Sequence, residues 1–94
     1  MYIRVVRFTG VDGERMESLL ARIRGSGGPP PGVNSNGIDV LFDEAQGTAV
    51  VLQRFATAQD MEEGAKVMSA MDPTDTPGTR VSVDACEQKL ELRV

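Results

Sequence analysis

The stretch YIRVVRFTG, residues 2–10, begins with a β-strand from Tyr2 to Phe8 that is apolar on both faces. Alternation along a strand sends Ile3 and Val5 to one side of the pleat and Tyr2, Val6 and Phe8 to the other, with Arg4 among the second set. A strand that is apolar on both sides needs a covering layer on each. The rest of the chain offers two helices, enough for one layer. The sequence therefore predicts that a second copy of the protein supplies the other.

The remaining elements follow from local signals. Asp12 can cap a helix whose apolar positions Met16, Leu19, Leu20 and Ile23 keep helical spacing, and Gly25 ends it. GSGGPPPGVNSNG, residues 25–37, is unsuited to regular structure because prolines lack a backbone donor and Gly and Asn favour turns. It reads as a flexible loop, or as a flap over a cavity mouth. Two strands are expected at Ile38–Phe42 and Thr48–Phe55, joined by a hairpin loop ending at Gly47. Thr57 with Asp60 starts a second helix whose stripe is Met61, Ala65, Met68 and Met71, stopped by Asp72-Pro73. A last strand runs from Arg80 to about Glu87, with Val94 as its furthest reach.

The order β-α-β-β-α-β is the split βαβ, or ferredoxin-like, arrangement. The expected fold class is α+β: one domain spanning 1–94, a four-stranded antiparallel sheet with both helices on one face, dimerising into an α+β barrel. Right-handed crossovers put the helices on one side. On this reading the helix-facing side carries Ile3, Val5, Val40, Phe42, Val50, Leu52, Val81 and Val83. The opposite side carries Tyr2, Arg4, Val6, Phe8, Leu41, Ala49, Val51, Gln53, Phe55, Ser82, Asp84 and Cys86. That second face is too apolar for water and marks an interface. Two such faces packed together enclose space for at most one small ligand.

Composition excludes several function classes. With 10 basic against 14 acidic residues and a net charge of −4, the chain lacks the clustered Lys and Arg that nucleic acid demands. No apolar run approaches the roughly 20 residues that span a bilayer, and no signal-peptide core precedes the first strand. The single cysteine, Cys86, rules out an intrachain disulfide and fits a reducing cytoplasm. No histidine is present, so Ser-His-Asp and Cys-His sites are impossible, and a zinc site would hold one Cys and only carboxylates. The glycines of GSGGPPPG follow a helix and lack the phosphate-loop lysine.

Together, YIRVVRFTG, Pro31-Gly32, the run GIDVLFDEAQGTAVVLQRFATAQDM, Met71-Asp72-Pro73 and the closing RVSVDACEQ resemble the dimeric α+β barrel superfamily. The likeness is to its branch of antibiotic-biosynthesis-monooxygenase-like proteins. It covers most of the chain outside the proline loop and lies in the pattern of elements. The resemblance implies a homodimer joined through the sheet face. Its members include cofactor-free oxygenases of polyphenolic substrates, haem-degrading enzymes, isomerases and dismutase-like haem proteins. Those enzymes commonly use His, Trp or Asn in the cavity, and this chain has neither His nor Trp. Haem ligation and a His base are thereby removed, no cofactor is expected, and binding is favoured over catalysis.

The ligand-pocket candidates are Tyr2, Arg4, Gln53 and Asp84. A buried Arg4 needs a partner, and Asp84 or Asp39 could supply one as an interface salt bridge that sets dimer register. Alternatively Arg4 and Gln53 form the polar end of a small cavity and orient an anionic or phenolic ligand. The expected function is that of a small dimeric protein binding a hydrophobic or aromatic molecule between sheet and partner. The alternative is a cofactor-independent monooxygenase or isomerase of aromatic metabolites.

Overall fold

A computed structural model describes residues 1–70 and 76–94. Its elements run β1 (Tyr2–Thr9), α1 (Gly13–Gly25), β2 (Gly37–Asp43), β3 (Thr48–Phe55), α2 (Ala58–Ser69) and β4 (Thr79–Glu87). The four strands form one antiparallel sheet in the order β2-β3-β1-β4. This α+β arrangement is compatible with a ferredoxin-like fold. The doubly apolar β1 lies in the interior of the sheet, paired on both edges.

Both helix starts work as their side chains dictate. Asp12 Oδ1 accepts from the Arg15 N–H at 2.8 Å, and Thr57 Oγ1 from the Asp60 N–H at 3.1 Å. Between β2 and β3 the chain turns through Gly47, whose φ of +66° suits glycine. The expected stop at Asp72-Pro73, and Met71 of the apolar stripe, lie outside the described residues. Of the loop between α1 and β2, Val33 is buried against Phe55 and Met61. The Asn36 N–H and the Ser35 hydroxyl both donate to the Arg54 carbonyl, at 2.7 and 3.0 Å.

The sheet meets its helices through two separate apolar clusters. One gathers Val6, Phe8, Val11, Met16 and Ala49, with Leu19, Leu20, Val40, Phe42 and Val51 packed against it. The other gathers Val33, Phe55 and Met61, with Tyr2, Val67 and Met68 around it. Phe55 is fully buried, a contribution of about 2–3 kcal/mol from its ring alone. Gly64 of α2 lets the helix close on that ring, since a Cβ there would lie 2.9 Å from Phe55 Cε1.

The facing of two strands is the reverse of the sequence expectation. Directly paired residues share a side of the sheet, and the register couples Tyr2 to Phe55, Arg4 to Gln53, Val6 to Val51 and Phe8 to Ala49. These are the residues in contact with the helices, so β1 and β3 turn their Arg4 and Gln53 side inward. Val40 and Phe42 of β2 join them as expected, with Leu41 outward. The bare side carries Ile3, Val5, Val50 and Leu52, with Asp84 and Cys86 of β4 opposite Val5 and Ile3. Physically, the side rich in rings is the one that fills a core. Tyr2, Phe8, Phe42 and Phe55 all sit there, while Arg7, Arg54, Asp39 and Asp84 sit on the other.

Candidate functional site

Between the two apolar clusters lies one polar row. Along β1, Arg4 separates Tyr2 from Val6, and along β3, Gln53 separates Phe55 from Val51. The Arg4 guanidinium donates from Nη1 to Gln53 Oε1 at 3.1 Å. Gln53 in turn donates from Nε2 to the Met68 sulfur at 2.9 Å, and Arg4 Nη1 lies 3.8 Å from the same sulfur. Arg4 is only 6% exposed, yet it makes no ion pair among the described residues and its buried Nε has no hydrogen-bond partner there. Burial, and then the nearby charge of Arg80, pull its pKa below the ordinary arginine value. Guanidinium is so strong a base that it stays charged even so.

Arg4 and Gln53 form part of the floor of a cleft of about 1100 Å³ between the sheet and the helices. Val6, Phe8 and Val51 continue the floor. Leu19, Arg22 and Ile23 of α1 and Met68 of α2 form walls, and the loop residues Gly28–Pro31 edge the opening. The charged side chains among the described lining residues are Arg4, Arg22 and Arg80, with no carboxylate among them. The arrangement is a mostly apolar hollow with a positive polar end, the make-up of a site for a small amphipathic molecule.

The four sequence candidates do not converge. Arg4 and Gln53 come together. Tyr2 shares their side of the sheet but packs in the cluster around Phe55. Asp84 is on the bare side, in register with Val5. Asp39 is also on that side and forms an ion pair with Arg54. Neither acid neutralises Arg4, so the expected interface salt bridge through Arg4 does not form in this fold. The reason is the facing of β1, which takes Arg4 into the helix side and leaves both acids behind.

Sequence reasoning missed three contributors. Met68 stood in the apolar stripe of the second helix, with nothing to tie its sulfur to Arg4 and Gln53. Arg80 stood only as the start of a strand, and its position opposite Phe8 follows a register shift between Arg7 and Phe8 that places it on the helix side. Arg22 falls on the α1 wall, a helical position whose direction depends on how α1 docks. Among the described residues no cluster of His, Cys, Asp and Glu is arranged to hold a metal ion, and no helix is long and apolar enough to cross a membrane.

No protein-family model matches this chain, and no curated protein matches it. The likeness in the sequence rests on the order and pattern of elements.

Proposed function

We propose that this protein binds a small hydrophobic or aromatic molecule in the cleft between its sheet and its helices. The observation that carries this is the cleft itself, a mostly apolar hollow of about 1100 Å³ with the buried Arg4 and the half-buried Gln53 paired at its floor. Ligand sites commonly take this form, apolar walls with a few converging polar groups. The lining chemistry supports binding over proton-transfer catalysis. Its described titratable groups are arginines, which neither accept nor release a proton near neutral pH.

The second part of the proposal is a homodimer joined through the bare sheet face, in the manner of the family the sequence resembles. That face holds Ile3, Val5, Leu41, Val50 and Leu52 in a band, and Leu41 is 53% exposed. Its rim is charge-balanced: Arg54 pairs with Asp39, while Arg7 and Asp84 have no ion-pair partner among the described residues. A second copy turned over on the first answers both needs, covering the aliphatic band and offering Asp84 to Arg7. The exposed free thiol of Cys86 fits a reducing, cytoplasmic setting.

A thermal-shift screen of aromatic metabolites on the purified chain tests the binding claim. A ligand at 100 times its Kd adds about 2.7 kcal/mol of stability. The expected result is stabilisation that disappears in Ile23→Trp, which fills the α1 side of the cleft. Equal stabilisation of both proteins would place the ligand elsewhere.

A further inference from the structure

Gln53 occupies only one nitrogen of the buried guanidinium, Nη1. The edge formed by Nε and Nη2 makes no hydrogen bond among the described residues, and Nε is fully buried. That edge is the one through which arginine grips a carboxylate with two parallel hydrogen bonds. Burying a cation without an acid is costly, and among the described residues only an amide and a thioether offset it. Among the described residues the charge that acts on Arg4 is that of Arg80. Its field favours an anion further.

Resting on the reading of the cleft as a binding site, we propose that its ligand is an organic carboxylate with an apolar, ring-bearing body. The carboxylate seats on the Nε and Nη2 edge of Arg4, and the body lies over Val6 and Val51 against Leu19 and Ile23. A carboxylate arrives ionised at neutral pH, with a pKa near 4. A phenol would first have to lose a proton, and no described lining group can take one. A free phosphate would leave the apolar floor uncovered.

The test is a set of probes sharing one ring system, naphthoate, naphthol and naphthamide, titrated calorimetrically into the full chain at neutral pH and low salt. Inorganic phosphate serves as competitor. Naphthoate is expected to bind at least about tenfold more tightly than naphthamide, the worth of a charge-assisted pair. Phosphate should not displace it. Arg4→Met should erase the preference of naphthoate over naphthamide. Arg4→Lys, which keeps the charge without the fork, should retain only part of the preference and carries the test if Arg4→Met does not fold. Equal binding of naphthoate and naphthamide would overturn the carboxylate assignment while leaving the cleft a binding site. Binding of none of the three would remove both. A preference that survives undiminished in both Arg4 variants would put the anion somewhere other than this edge, and displacement by phosphate would overturn the requirement for an apolar, ring-bearing body.

Discussion

Arg4 Nη1 donates to Gln53 Oε1 across 3.1 Å, so the most deeply buried charge of the described fold is met by an amide. Gln53 passes the connection on to the Met68 sulfur, joining β1, β3 and α2 through one polar chain. An acid in place of Gln53 would neutralise the guanidinium, whereas the amide hydrogen-bonds it without a countercharge.

That arrangement has a stability cost whose sign is fixed. Burial first, and Arg80 second, lower the Arg4 pKa, so the charged form is worse off in the folded protein than in the unfolded chain. The cost is present at every pH below the lowered value and is relieved only as pH rises through it, far above the working range. Arg4→Met should therefore raise unfolding stability by about 1 kcal/mol at neutral pH, measured by urea denaturation. The gain should be the same at mildly acidic and mildly alkaline pH. A loss of that size would mean that the contacts of Arg4 outweigh the cost of burying its charge.

Gly64→Ala sets two effects against each other. Alanine is the better helix former by about 1 kcal/mol. Its Cβ, however, would lie 2.9 Å from Phe55 Cε1 and 3.2 Å from Cζ, against a ring held fully buried on an inner strand. Overpacking of this kind costs about 1–3 kcal/mol and should win. Gly13→Ala is the matched control, because its Cβ would meet only Glu44 Oε1 at 3.9 Å. It should gain about 0.5 kcal/mol. Thermal denaturation of the two variants should move the midpoint in opposite directions.

The dimer proposal predicts a charge dependence. Leu52→Glu places a carboxylate in the middle of the bare face and should yield a monomer by sedimentation velocity. Arg7→Glu and Asp84→Arg should each weaken association, and the two together should recover much of it, because the pair is proposed to meet across the interface. Losses that simply add in the double variant would show that the two residues do not meet.

The order of elements, both helix N-caps and every strand boundary to within one residue could be read from the sequence, because periodicity and capping are local. The facing of β1 and β3 could not be read from β1 alone, since both of its sides are apolar. The deciding information is non-local. Only the pairing of Ile3 with Arg54 and of Val50 with Arg7 shows that the Ile3 side collects the charges. Counting charges across neighbouring strands would have found it. The same gap explains the site. Arg4 and Gln53 were legible as a pair, but Asp84 was grouped with them on the strength of β1's assumed facing. Arg80 was hidden by the register shift beside Phe8.

The central claim is that ligand enters between sheet and helices, and methyl NMR on the labelled protein locates it most directly. On addition of naphthoate, the methyl signals of Val6, Val51, Leu19 and Ile23, all lining the cleft, should shift, together with the Nε–H signal of Arg4. Those of Ile3, Val5 and Leu52 on the bare face should stay in place. Shifts confined to Ile3, Val5 and Leu52, with Val6, Val51 and Arg4 unmoved, would contradict the account.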